Sequence, residues 1–233
     1  MSRNQQIRLF SALAIRAPFT QLEATWLTQH PDNPLAIDWG PTTAIEKKLA
    51  AGEPADAVIV TVKAMDKLIA EGVVTGGSRV ELVDSPIGLA MLPQAEAPDI
   101  SSVEALKKAL LAARSVCWSL GGASGIYFQT VLKQLGIEEA MAARATTIGE
   151  GFTASQLIAG KADIAVQQIS ELLAVKGIKV IGPLPDAVQQ PTSISAGVLA
   201  NAQNPQGAAA LLDFLRSAEA GRAFEAFGMS LRN

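Results

Sequence analysis

The residues best suited to chemistry in this 233-residue chain are hydroxyls and glycines at points where a strand gives way to a helix. Ser124-Gly125 follows an apolar run at residues 116–120 and the pair Gly121-Gly122. The first turn of a helix has backbone N–H groups that lack intrahelical acceptors, and together with the helix dipole they attract anions. The stretch therefore predicts a small-anion site. It leaves open whether the anion is only bound or is also converted.

Three further turns place hydroxyls or bare backbone N–H groups at a predicted helix start: Ser11-Ala12, Thr42-Thr43 and Gly149-Glu150-Gly151. The last of them precedes a predicted helix at residues 152–159. For any single turn, ordinary helix capping is the favoured explanation, because Ser and Thr are favoured N-caps. Several such turns in one cleft would instead indicate a ligand. Neutral donors suit a fully charged anion, since they bind it without burying a counter-charge.

Four other kinds of side chain are candidates, each with a structural alternative. Arg16 is either a bidentate clamp for a carboxylate or an exposed helix charge. Tyr127 either donates to a ligand or packs half-buried. Gln167 and Gln168 end a predicted strand and point to opposite faces, so at most one faces a ligand. Glu150 is either a general base or a partner of a helix dipole.

The composition of the chain excludes several classes of binding partner and cofactor. The net charge is −3 without a basic block and aromatic residues make up 5%, which argues against nucleic acid. A single cysteine, Cys117, and a single histidine, His30, exclude an internal disulfide and make a zinc site of the usual N/S type improbable. We expect neither a metal nor a cofactor, and no membrane insertion. As the chain stands, a cytoplasmic protein is expected, or a periplasmic one if a leader was removed.

Strands and helices alternate along the chain, which is typical of α/β sheets that are mostly parallel with helices on both faces. Two blocks are predicted: residues 1–84 with 192–233 as lobe 1, and residues 85–191 as lobe 2. Strands that cross between them would leave a ligand cleft between the lobes, with the strand-to-helix turns facing it.

Six motifs follow one another in a recognisable order: Leu9-Phe10-Ser11-Ala12, Gly40-Pro41-Thr42-Thr43-Ala44, Gly52-Glu53-Pro54-Ala55-Asp56, Met65-Asp66-Lys67-Leu68, Ser124-Gly125-Ile126-Tyr127 and Ala159-Gly160-Lys161-Ala162-Asp163. In this order the chain resembles the molybdate-binding-protein-like family of bacterial solute-binding proteins. The resemblance implies the two-lobed type II periplasmic-binding-protein fold, with an anion in the cleft.

The resemblance also assigns ligand positions: Ser11, Thr42, the Ser124-Gly125 turn and Gly149-Glu150. Oxyanion binders of the family carry a tyrosine where this chain has Gln168, and a serine is common where it has Pro41. These departures weigh against molybdate itself and leave a carboxylate as a candidate.

Two functions follow from the resemblance. The first is binding of a small carboxylate or oxyanion, as the solute-binding protein of an ABC transporter if the chain is exported. The alternative is a cofactor-independent isomerase of an unsaturated di- or tricarboxylate, because the aconitate isomerases are similar to this family. Glu150 and Tyr127 would then be the acid–base candidates, while Arg16 and the hydroxyl turns hold carboxylates. An intracellular sensor domain is a third, weaker alternative.

Overall fold

A computed structural model describes residues 6–232 of the chain. Its strands are, in chain order, β1 (Ile7–Ala12), β2 (Leu35–Gly40), β3 (Ala57–Thr61), β4 (Val80–Ser85), β5 (Ile87–Met91), β6 (Val116–Ser119), β7 (Ala145–Ile148), β8 (Ile164–Gln168), β9 (Lys179–Pro183), β10 (Thr192–Val198) and β11 (Ser230–Leu231).

Its α-helices are α1 (Arg16–Gln29), α2 (Thr42–Ala50), α3 (Val62–Ala70), α4 (Val103–Ala112), α5 (Ala123–Gln134), α6 (Glu138–Ala142), α7 (Ser155–Ile158), α8 (Ile169–Leu173), α9 (Pro205–Leu215) and α10 (Ala218–Ala226). Two compact units are present. Unit 1 comprises Met1–Asp84 with Ser193–Asn233, and unit 2 comprises Ser85–Thr192. Among residues 6–232, no helix has both the length and the apolar character that a bilayer crossing needs.

Unit 1 is built on a six-stranded sheet in the order β11-β4-β10-β3-β1-β2. Strand β1 runs parallel to β2 and β3, whereas β10 is antiparallel to β3 and β11 is antiparallel to β4. Helix α1 covers the core with Phe19, Leu22 and Trp26, which recur at helical spacing and are at most 2% exposed. Each such side chain contributes roughly 1.5–3 kcal/mol of burial free energy.

Asp56 fastens three backbone segments of unit 1 together. It is buried, and its Oδ2 accepts the N–H of Arg8 at 2.8 Å. Its Oδ1 accepts the N–H groups of Gln203 and Asn204 at 2.8 and 2.9 Å. Hydrogen bonds to an ionised acceptor are stronger than neutral ones. The Gly52–Asp56 motif therefore has a structural role, in which its last residue joins the start of β1 to the turn before α9.

Unit 2 is built on a five-stranded sheet in the order β7-β6-β8-β5-β9. Strand β6 is parallel to β7 and β8, while β5 is antiparallel to β8 and β9. Its core includes Leu106, Trp118 and Phe128, with the last two rings in edge-to-face contact at a centroid distance of 5.6 Å.

The α/β class predicted from the alternation of strands and helices is confirmed. The sheets are mixed, however, and the expectation that they are mostly parallel needs correction. The reason is that β10 in unit 1 and β5 in unit 2 run against their neighbours. Apolar runs reveal that a strand is buried, but its direction depends on how the chain returns to the sheet.

Candidate functional site

The start of α5 lies against the end of β6. Its N-cap is Gly122, whose N–H donates to the Oγ of Ser119 at 3.2 Å, and Ser124 in its first turn is 1% exposed. A Cβ on Gly125 would lie 1.8 Å from the carbonyl oxygen of Ser119. Glycine is therefore required at 125 because the helix meets the strand backbone there, a packing reason that adds to the predicted ligand role.

A second glycine turn lies beside the first. The N–H of Leu120 donates to the carbonyl of Ile148 at 2.8 Å, and that of Gly121 donates to the carbonyl of Gly149 at 3.1 Å. These bonds extend the pairing of β6 and β7 into the following turns. They place Gly121, two residues before the first residue of α5, beside Gly149, and the following Glu150 is exposed.

The second turn does not open a helix, which corrects the predicted helix at residues 152–159. Helix α7 is confined to Ser155–Ile158. The cause is Gln167: its Nε2 donates to the carbonyl of Gly151 at 2.9 Å, and its Oε1 accepts the N–H and hydroxyl of Thr153 at 2.8 and 3.0 Å. Because Glu150 precedes α7 by several residues, the interpretation of Glu150 as a helix-dipole partner is wrong.

Gln168 differs from its neighbour Gln167. It is 5% exposed and precedes α8, with its side chain facing the backbone N–H of Glu171 as in a capping box but outside hydrogen-bond geometry. Within the described residues, its Oε1 and the Oγ of Ser170 are buried without a hydrogen-bond partner. A buried polar atom of this kind calls for a water, an ion or a ligand.

Glu171 was missed by sequence reasoning. It is 6% exposed, and its Oε2 accepts the N–H of Gln168 at 3.3 Å. Burial raises the pKa of Glu171 to about 8, although hydrogen bonds from Gln168 and Gln167 favour the charged form. The available signal was a polar residue followed three positions later by Glu, a spacing associated with helix starts.

The first predicted turn of unit 1 also needs correction. Ser11 does not begin a helix, because β1 continues to Ala12 in register with β2, and a 3-10 turn at Leu13–Ile15 precedes α1. Ser11 is fully buried and its hydroxyl donates to the carbonyl of Ala12 at 3.3 Å. Arg16 is the first residue of α1 and is exposed.

The second turn of unit 1 uses its hydroxyl within the protein. Thr42 begins α2, and its Oγ1 accepts the N–H of Thr61 at 3.3 Å. Thr61, a residue not singled out from sequence, caps α3 by accepting the N–H of Ala64 at 3.4 Å. Thr43 follows at an exposed position.

Tyr127 is half-buried and Cys117 is fully buried. The hydroxyl of Tyr127 donates to the carbonyl of Val188 at 3.1 Å, which corresponds to the packing alternative. Cys117 is buried, and burial raises the pKa of its thiol to about 12. A thiol of that pKa is not a nucleophile at neutral pH.

Comparison with known proteins agrees with this architecture. The chain is 38% identical to an aconitate isomerase of a Pseudomonas species over 187 residues, which cover 80% of this chain and 71% of that protein. The fold matches the periplasmic molybdate-binding protein of Azotobacter vinelandii with a TM-score of 0.81 and 18% identity, covering 97% of this chain and 100% of that one.

A sulfate-binding protein of Mycobacterium tuberculosis matches with a TM-score of 0.76 and 16% identity, covering 98% of this chain and 88% of that one. The model of a protein family described as bacterial extracellular solute-binding protein matches residues 7–230. This match spans nearly the whole chain, and with it the chain belongs to the bacterial extracellular solute-binding protein family.

Proposed function

We propose that this protein binds a small anion, a carboxylate or an oxyanion, through uncharged donors at its strand-to-helix turns. The observation that carries the proposal is that the hydroxyl of Ser170, which can donate to an anion, is buried and has no hydrogen-bond partner among residues 6–232. Such a group costs free energy unless another molecule completes its hydrogen bonds. Gln168 immediately follows Gln167, which holds the Gly149–Gly151 turn beside the start of α5.

The donors available in unit 2 are neutral. They are the first-turn N–H groups of α5, the hydroxyls of Ser124 and Ser170, and the amide of Gln168. Uncharged dipoles bind a charged ligand without burying a cation, and the start of a twelve-residue helix adds its dipole. The contribution of unit 1 through Ser11, Ala12, Arg16, Thr42 and Thr43 stays a prediction.

A carboxylate is the better candidate among anions. Whether the guanidinium of Arg16, which is exposed at the start of α1 in unit 1, contributes to binding stays a prediction. A guanidinium fork matches a carboxylate in bidentate geometry. The relative that is 38% identical is named for a tricarboxylate, aconitate.

A ligand panel tests the proposal. Citrate, cis-aconitate, trans-aconitate, sulfate, molybdate and tungstate are added in turn, and the melting temperature is measured with each. Because a ligand that binds only the folded state stabilises it, the tricarboxylates should raise the melting temperature most. Stabilisation by molybdate or tungstate alone would contradict the carboxylate, and no stabilisation by any anion would contradict the whole proposal.

An isomerase is the second candidate function, favoured specifically by the similarity to aconitate isomerase. The reaction moves a proton along an allylic system: one C–H bond breaks, the double bond shifts by one carbon, and a new C–H bond forms at the other end. Electrons and atoms balance without an oxidant or reductant. One acid–base group that removes and returns the proton is sufficient.

Glu150 is the acid–base group that we propose for this step, because the hydroxyl of Tyr127 is already engaged in a hydrogen bond to the Val188 carbonyl. Glu150→Gln should lower the rate of cis-to-trans aconitate conversion by about 100-fold or more, while the ligand dissociation constant changes by less than about threefold. Conversion is followed by proton NMR in D2O, which also records exchange at the allylic carbon.

The matched control is Glu96→Gln, an exposed carboxylate of the same unit on the loop after β5. Its conversion rate should equal that of the wild type. Full activity in the Glu150 variant would show that Glu150 takes no part in the reaction. A wild type that binds aconitate without converting it would contradict the isomerase and support binding as the sole function.

The family description, bacterial extracellular solute-binding protein, supports a role outside the cytoplasm. We propose that there the protein delivers its anion to an ABC transporter. Cell fractionation of the native organism tests this. Recovery in the periplasm, together with loss of anion uptake in a deletion strain, supports transport. Recovery with cytoplasmic markers would contradict delivery to a transporter and favour the isomerase.

A further inference from the structure

The junction between β8 and α8 combines three buried polar side chains. Gln168 and Ser170 bury atoms that meet no partner within residues 6–232, and Glu171 buries a carboxyl group. Glu171 contacts Gln168 through the hydrogen bond from the Gln168 N–H to its Oε2 at 3.3 Å. An acid that is in direct contact with a candidate ligand residue is well placed to influence an anion.

Among residues 6–232, no cation forms an ion pair with Glu171. Helix α8 packs against β5, β8 and β9, and among these strands the sole titratable side chain is that of Lys179, which is exposed at the start of β9. The nearby Lys176 is also exposed, and Asp163, which precedes β8, pairs with Arg114 at 2.8 Å. The neighbouring strands therefore surround the carboxyl with apolar and amide groups.

We propose that Glu171 is a positioning residue that supports anion binding in its neutral form and opposes it when ionised. As a neutral group, its carboxyl accepts the N–H of Gln168 and fixes the backbone of the ligand residue. As a carboxylate, it would add a buried negative charge next to a bound anion, where solvent and salt screen poorly. The inference rests on the proposed anion binding and adds its pH control.

The inference predicts a fall in affinity as pH rises. Burial raises the pKa of Glu171 to about 8, so the neutral fraction is nearly complete at about pH 6 and about one tenth at about pH 9. If the neutral form alone binds, the dissociation constant rises by about tenfold over this range, because it scales inversely with the competent fraction.

The test compares the wild type with Glu171→Gln by calorimetric titration of trans-aconitate and of sulfate at about pH 7 and about pH 9. Both anions are fully ionised at these values, so their own charge is constant. Glutamine keeps an acceptor for the Gln168 N–H and cannot ionise. The variant should bind within about threefold of the wild type at the lower pH and should lose the tenfold decline. The control Glu96→Gln should keep the decline.

A second measurement does not depend on a ligand. The folded pKa lies above the ordinary value, so the folded chain retains a proton that the unfolded chain releases, and the free energy of unfolding should fall as pH rises from about 4.5 to about 8. Denaturation midpoints across this range should fall less steeply in Glu171→Gln than in the wild type.

The outcomes are distinguishable. Binding in the wild type with an equal decline in Glu171→Gln would overturn the positioning role and leave the proposed function intact. If the denaturation midpoint falls equally steeply with pH in the two proteins, the Glu171 carboxyl is not held in its neutral form by the fold, and the inference is wrong. Absence of binding at both pH values would overturn the proposed function and the inference with it.

Discussion

The strand-to-helix turns of the two units look alike in sequence, but their polar side chains are used differently. In unit 1, Thr42 accepts the N–H of Thr61, and Thr61 accepts that of Ala64. In unit 2, Gln168 ends β8 and Ser170 lies in α8, and both have buried atoms without a partner in the described chain. Hydroxyls that cap helices thus follow strands in unit 1, whereas side chains with unpaired buried atoms lie where β8 gives way to α8 in unit 2.

The difference shows what distinguishes a cap from a candidate ligand group. Capping needs a side-chain oxygen and a nearby N–H, and both are supplied by local sequence. A ligand group needs a buried polar atom whose neighbours are already paired. The neighbouring Gln167 is paired in this way, because its side chain bonds both Gly151 and Thr153.

The largest expected effect concerns the glycine at the start of α5. In Gly125→Ala the new Cβ would lie 1.8 Å from the Ser119 carbonyl oxygen, so the helix start must move. We expect a loss of about 3 kcal/mol or more in the free energy of unfolding and loss of anion binding. Urea denaturation with tryptophan fluorescence measures the first, and calorimetry the second.

Gly77→Ala is the control, because its Cβ would meet no described atom within 4 Å. It should change the free energy of unfolding by less than about 0.5 kcal/mol. A Gly125→Ala protein of normal stability would mean that the helix start is not packed as tightly as the structure indicates.

The next effect separates the two glutamines. Gln167→Ala leaves the Thr153 N–H and the Gly151 carbonyl unpaired and should cost about 2 kcal/mol of stability. Gln168→Ala should change stability by less than about 1 kcal/mol, but should weaken trans-aconitate binding by about tenfold. The reverse pattern in denaturation and calorimetry would exchange their roles.

The smallest effect tests the capping hydroxyl of unit 1. Thr61→Val removes the acceptor of the Ala64 N–H and should lower the free energy of unfolding by about 1 kcal/mol. Ser102→Ala, which removes the cap of α4 in unit 2, should lower it by a similar amount. Anion affinity should be unchanged in both. A tenfold loss of affinity in Thr61→Val alone would break the comparison between the units.

Sequence reasoning was most successful where local pattern suffices. The spacing of Phe19, Leu22 and Trp26 predicts the buried face of α1, and the apolar run that precedes Gly121 predicts β6. The opposed side chains of successive strand residues predict that Gln167 and Gln168 differ. That difference is present, since Gln167 is fully bonded within unit 2.

Sequence reasoning failed where a distant residue decides. The turn at Gly151 is shaped by Gln167, sixteen positions away, so the predicted helix at residues 152–159 begins late. Glu171 was missed because nothing local reveals that one acid on a five-residue helix is buried. Both cases depend on tertiary contacts, which override local preference.

The bonds of Asp56 to Gln203 and Asn204 have a consequence for the order of synthesis. Unit 2 is a single stretch of chain, Ser85–Thr192. Unit 1, in contrast, takes one of its central strands, β10, largely from the chain that follows this stretch. Domains fold as units while the ribosome extends the chain. Every residue of unit 2 is therefore synthesised before Gln203 and Asn204, the two later partners of Asp56. A chain that ends shortly after Thr192 would contain all of unit 2 but would lack most of β10, and it would leave β3 with an unpaired sheet edge that can pair with another chain.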